Sequence, residues 1–97
     1  MKIAQRVETQ PAVSVVIPAH NEEKWIASCL ESVLGMDSYP HKEVIVVDDA
    51  SSDRTGEILK RFPVTVIRNE KPAGPSSARN IGVREARGEI IIFIDAH

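Results

Sequence analysis

The last nine residues, Glu89-Ile-Ile-Ile-Phe-Ile-Asp-Ala-His97, constrain the fold more than any other stretch. Ile90 to Ile94 is an unbroken apolar run of strand length, rich in β-branched side chains, and it stops at a carboxylate, Asp95. A short unbroken run of this kind predicts a strand buried on both faces, as in a parallel sheet. In open α/β sheets ligands bind just beyond the carboxyl ends of such strands. Asp95 and His97 therefore stand where a site is expected.

Upstream, the chain repeats the pattern. Met1 to Ala12 is polar and aperiodic and reads as a flexible tail, leaving 13–97 as one incomplete domain. Val13 to Ile17 predicts a first strand, closed by Pro18, which lacks an N–H. Asn21 is the expected N-cap of a first helix, with Glu22 and Glu23 in its first turn. Trp25, Ile26, Cys29, Leu30, Val33 and Leu34 form its apolar stripe, and Gly35 is its expected stop. After a loop over 36–42, Glu43 to Val47 predicts a second strand ending at Asp48 and Asp49. Ser51 or Ser52 is the expected cap of a second helix, with Asp53 at its start and Ile58, Leu59 and Phe62 inside; Pro63 bars its continuation. Val64 to Ile67 predicts a short third strand. Gly74-Pro-Ser76 leads into a third helix whose small-residue face (Ala78, Ile81, Gly82, Ala86) suits close packing on a sheet, with Gly88 expected just past its end. The order β-α-β-α-β-α-β predicts a parallel sheet with right-handed crossovers, strand order 3-2-1-4 and helices on both faces.

Composition excludes several classes. Twelve Lys and Arg against fourteen Asp and Glu give a net charge of −2, which calls for neither nucleic acid nor an anionic membrane as partner. A single cysteine forbids an internal disulfide and fits a reducing, cytoplasmic setting. No apolar run approaches the roughly 20 residues of a membrane helix, so any membrane association is expected from a region beyond residue 97. Cys29 and Trp25 read as packing residues and His41 as a loop residue.

Three strand ends carry polar clusters: Pro18 to Glu23, Asp48 to Asp53, and Asp95 to His97. A parallel sheet sets all three on one rim, where crowded carboxylates need a cation or many donors around them. A metal–nucleotide site meets both needs. Asp48 or Asp49 would accept hydrogen bonds from a base or a ribose, and Asp95 and His97 would ligate a divalent cation that neutralises a diphosphate. Asp53 reads as a turn or cap residue.

The motifs resemble those of family 2 glycosyltransferases, enzymes of the GT-A fold. Val13-Ser-Val-Val-Ile-Pro-Ala-His-Asn-Glu-Glu23 is similar to that family's opening strand and loop. Glu43-Val-Ile-Val-Val-Asp-Asp-Ala-Ser-Ser-Asp-Arg-Thr55 resembles its second strand and acidic turn, and Gly74-Pro-Ser-Ser-Ala-Arg-Asn-Ile-Gly82 its third helix. Ile91 to His97 falls where the family carries an Asp-x-Asp metal motif.

The resemblance implies a Rossmann-like three-layer sandwich, cut after its fourth strand. It implies a nucleotide pocket lined by Pro18, Ala19, His20 and Glu22, with Asp48 and Asp49 on the base and ribose and Arg79 nearby. Asp95 would hold ribose or metal. The family more often has Tyr where this chain has His20, so base stacking is expected to differ. His97 replaces the second Asp of the metal motif; imidazole favours Mn²⁺ over Mg²⁺ as the cofactor. The implied function is metal-assisted, inverting transfer from a nucleotide-sugar donor, a UDP-sugar, to an acceptor hydroxyl on an unassigned acceptor. The catalytic base is expected beyond residue 97, so the chain alone is expected to be inactive, and its exposed edge strand is expected to promote self-association. The alternative is a non-catalytic nucleotide-sugar-binding or scaffold module. A nucleotidyltransferase or other nucleotide enzyme on a similar sheet is disfavoured, because no glycine-rich phosphate loop follows the first strand.

Overall fold

The computed structural model describes residues 11–37 and 40–96. The expected tail through residue 10, Ser38 of the 36–42 loop, and His97 lie outside them. The elements are β1 (Val13–Ala19), α1 (Ile26–Leu34), β2 (Lys42–Asp49), α2 (Thr55–Leu59), β3 (Thr65–Asn69), α3 (Pro75–Glu85) and β4 (Ile90–Phe93). The four strands form one parallel sheet in the order β3-β2-β1-β4, as the crossover argument requires. Among the described residues no helix is long and apolar enough to cross a membrane.

Alternation along the strands builds two cores. Val13, Val15 and Ile17 of β1 with Val44 and Val46 of β2 pack against Ile26, Leu30 and Val33 of α1 and Leu59 of α2. Ile45 and Val47 point the other way, onto Ala78 of α3. Helix α3 lies close because Gly82 faces Val16: a Cβ there would overlap the valine's Cγ1. The small-residue face expected on this helix is thus a steric requirement.

Several local expectations change. β1 does not stop at Pro18 but runs to Ala19, with Pro18 opposite Val47. Val16 turns its carbonyl to β4, accepting the N–H of Ile94 at 3.1 Å. Pro18, two residues on, faces the same side past the end of β4, where no ladder N–H is needed. Asn21 does not cap α1, which begins at Ile26 after a turn, so Glu22 and Glu23 precede the helix. Gly35 does end α1, but in a right-handed conformation. Neither Ser51 nor Ser52 caps α2; the Asp53 carboxylate takes the Thr55 N–H at 2.9 Å and its hydroxyl at 2.6 Å. Trp25 is exposed, with the Lys24 ammonium 5.3 Å from its ring, whereas Cys29 packs against the core as expected.

Gly88 is not the residue closing α3, which ends at Glu85 with Ala86 as its cap. It is a close-approach glycine, because a Cβ would stand 2.7 Å from the backbone nitrogen of Ser14. Its N–H donates to Ser14 Oγ at 2.8 Å, and that hydroxyl donates to Glu43 Oε2 at 2.5 Å. The Arg87 N–H reaches the same oxygen at 2.6 Å. This cluster pins the start of β4 to the amino ends of β1 and β2.

β4 is the edge strand expected of a sheet cut after its fourth strand, so within the described residues it is not buried on both faces: Ile91 and Ile92 are half-buried, while Ile90 and Phe93 are about half exposed. Apolarity alone does not bury a strand; a neighbour must, and β4 pairs only with β1.

Candidate functional site

The strand order reverses between β1 and β4, and a cleft of about 400 Å³ opens there, at the carboxyl rim. Its volume falls within the usual range for small-molecule sites. Pro18, Ala19, His20 and Glu22 line it from the end of β1, Asp49 from β2, Gly74, Ala78 and Arg79 from α3, and Asp95 from beyond β4. Of the candidate site residues that lie among the described ones, the cleft therefore gathers every one except Asp48.

Asp49 is the best-supported group in the cleft. Its carboxylate accepts from the Asn69 amide at 2.7 Å, the Ala73 N–H at 2.9 Å and the Gly74 N–H at 2.8 Å. Burial pushes its pKa up, but these donors and the neighbouring His20 outweigh burial and hold it below the usual aspartate value. The carboxylate also fixes the 73–74 turn that starts α3, so one side chain shapes two walls. The Asp49 carbonyl lies 2.6 Å from His20 Nδ1. A carbonyl only accepts, so Nδ1 carries the proton and Nε2 is left as the ring's other polar edge.

Asp48 goes the opposite way. Adjacent strand residues project to opposite faces, and Asp48 is 1% exposed behind the cleft wall, with Arg68 Nη1 donating to it at 2.6 Å. Ala50 follows in the left-handed region, φ 58°. The loops after β1 and β2 are then stitched together. The Asn21 N–H donates to Ser51 Oγ, and Asn21 Oδ1 accepts from the Ser52 N–H. The Glu22 N–H donates to Thr55 Oγ1 and the Glu23 N–H to Asp53 Oδ2. Asn21 can do this because it too is left-handed, φ 52°, a conformation asparagine tolerates better than most residues. Asp53 is a structural residue here, as its sequence context suggested.

The β4 side is open. The Asp95 carboxylate is 67% exposed, and its contact with Arg79 Nη2 is 3.4 Å long. No group of three or more His, Cys, Asp or Glu suited to a metal occurs among the described residues. Among the described residues, Asp95 is the accessible carboxylate beside the cleft that could contribute to holding a cation.

The profile of "Glycosyl transferase family 2" matches residues 14–97. The chain belongs to glycosyl transferase family 2. The chain is 37% identical over 89 residues to glycosyltransferase GlyG of Streptococcus pneumoniae, covering 87% of this chain and 29% of that protein. Among solved structures, S. aureus TarS 1-349 in complex with UDP superposes with a TM-score of 0.80 at 34% identity, covering 87% of this chain and 27% of that 1-349 chain. The mannosyltransferase PcManGT from Pyrobaculum calidifontis, in complex with GDP-Man and Mn²⁺, gives 0.82 at 32% identity, covering 90% and 28%. The fold is the GT-A arrangement, and the chain spans roughly a quarter to a third of these relatives.

Of the residues that hold the site together, the sequence pointed to Asn21 and Ser51 only as helix caps and gave no role to Thr55, Arg68 and Asn69. A signal for two of them was present. Arg68-Asn69 ends β3 as Asp48-Asp49 ends β2, and the strand register sets Arg68 against Asp48 and Asn69 against Asp49.

Proposed function

We propose that this family 2 chain is the donor-binding portion of a metal-assisted, inverting glycosyltransferase that uses a UDP-sugar. The observation that carries this reading is the convergence of Asp49, His20, Arg79 and Asp95 on one cleft at the reversal point of the sheet. TarS, described with UDP, and PcManGT, described with GDP-Man and Mn²⁺, support a nucleoside-diphosphate donor. Asp49 and His20 would receive the base and ribose on the β2 side. Arg79 and Asp95 would take the diphosphate end, with His97, which lies outside the described residues, as second metal ligand. A bound cation there would stabilise charge on the departing diphosphate. Mn²⁺ suits an Asp-plus-imidazole pair better than Mg²⁺ does. Deprotonation of the acceptor would fall to a carboxylate outside this chain, so the chain alone binds donor without transferring it.

Isothermal titration with UDP and with GDP, each with and without Mn²⁺, tests the reading. UDP is expected to bind, and Mn²⁺ to strengthen that binding, because each supplies charge or ligands to the other. The coupling should vanish in Asp95→Ala and weaken in His97→Ala. Tighter binding of GDP would overturn the base assignment, and equal UDP affinity with and without Mn²⁺ would overturn the metal role.

A further inference from the structure

We propose that Arg68 is a positioning residue for the cleft, acting from the back of the sheet through Asp48 and Ser51 on His20. One guanidinium spans the turn that ends β2. Nη1 donates to Asp48 Oδ2 at 2.6 Å and Nη2 to the Ser51 carbonyl at 3.0 Å. The Ser51 N–H returns to Asp48 Oδ1 at 3.1 Å. The turn so closed contains the left-handed Ala50, whose N–H reaches only across it, to the Asp48 carbonyl at 2.9 Å. Such a turn is strained for a residue with a Cβ and needs its ends held. The planar fork of Arg suits this bridging, because it gives two directed bonds where an ammonium gives a point charge.

From the turn, the effect passes to the cleft by two short bonds. Ser51 Oγ accepts the Asn21 N–H at 2.9 Å, fixing the residue after His20. The Asp49 carbonyl, inside the turn, accepts from His20 Nδ1 at 2.6 Å. Both the location of the imidazole and the tautomer it presents thus depend on a turn that Arg68 closes. Asp48 belongs to this latch and touches nothing in the cleft.

The test uses Arg68→Met, which keeps an apolar stem and removes both bonds, and Arg68→Lys, which retains charge but cannot bridge. Arg54→Met is the control, since Arg54 makes only an exposed pair with Glu57 through its side chain. The first readout is the pair of ring ¹⁵N shifts of His20, which distinguishes the Nδ1–H form from the Nε2–H form. The second is UDP affinity, which rests on the donor-binding reading. In the unaltered chain His20 is expected in the Nδ1–H form. In Arg68→Met the Nε2–H form should grow and UDP binding weaken roughly three- to tenfold, the scale of one or two hydrogen bonds. Arg68→Lys should fall between, and Arg54→Met should change neither readout.

A folded Arg68→Met protein, by far-UV circular dichroism, that keeps the His20 tautomer and binds UDP within twofold of the parent overturns the proposal. Should Arg68→Met not fold, unchanged readouts in Arg68→Lys overturn it equally. Absence of UDP binding by the parent chain would sink the donor reading instead, and the tautomer measurement would still decide this one.

Discussion

The two sides of the cleft are built differently. On the β2 side, Asp49 is buried and held by three donors, its turn is latched by Arg68, and two loops are cross-stitched from Asn21 to Thr55. On the β4 side, Asp95 stands mostly in solvent with one long contact to Arg79, and the strand beneath it is a half-exposed edge. The described residues alone organise the β2 side of the site. A rigid pocket for an uncharged, hydrogen-bonding group needs its donors and acceptors fixed in advance. On the proposed donor reading, a cation–diphosphate pair would bring most of its own ligands and charge, with Asp95 and His97 completing them.

The strongest way to break this comparison is to delete each carboxylate. Asp49→Ala strands the Asn69 amide and the N–H groups of Ala73 and Gly74, and frees the start of α3. Its cost should be about 2–4 kcal/mol in chemical denaturation, from several lost partners of which water replaces some. Asp95→Ala should stay within about 0.5 kcal/mol of the parent, as exposed substitutions do, and should abolish the response of UDP binding to Mn²⁺. Equal stability losses would mean that the two sides are equally structural.

Acid titration sharpens the same contrast with a smaller effect. For Asp49, Asp53 and Glu43, burial raises the pKa, but hydrogen bonds from Asn69, Thr55 and Ser14 respectively, with backbone N–H donors, outweigh it and leave each below its ordinary value. A carboxyl whose folded pKa is lowered binds its proton less readily folded than unfolded. It contributes stability above the unfolded value, about 4, and that contribution is lost as pH falls through the folded value. The chain should therefore unfold more easily below about pH 4. Asp49→Asn should be less stable at neutral pH yet show a shallower acid limb. An acid limb as steep as the parent's would place the sensitivity at Asp53 and Glu43.

The topology was legible because apolar runs of strand length, each ending in polar residues, leave few arrangements once crossovers must be right-handed. The membership of the cleft was legible for the same reason, since strand ends of a parallel sheet share one rim. The partition of Asp48 from Asp49 was implicit in the two-residue period of a strand, but their adjacency suggested a joint role. Other features depend on partners far off in sequence. Asn21 looks like a cap for the helix that follows it, yet its oxygen is claimed by Ser52, thirty-one residues on. Gly88 looks like a helix terminator and is required by Ser14. The apolar run of β4 suits burial on both faces, while among the described residues it pairs only with β1.

The mildest test addresses the turn itself. Ala50 holds φ at 58°, where a Cβ crowds the following carbonyl at a cost of about 1–2 kcal/mol. Glycine removes that cost, but its unfolded chain is freer by about 0.5–1 kcal/mol. The difference leaves Ala50→Gly more stable by about 0.5 kcal/mol, readable as a small rise in denaturation midpoint at unchanged slope. Its effect on the cleft separates two ideas of how the β2 side is held. If Arg68 and the Ser51 bonds fix the turn, relieving strain inside it leaves UDP affinity and the His20 tautomer unchanged. If the alanine's own stiffness holds the Asp49 carbonyl in place, the more stable variant binds UDP more weakly. That outcome would move the control of His20 from the latch behind the sheet to the turn's own backbone.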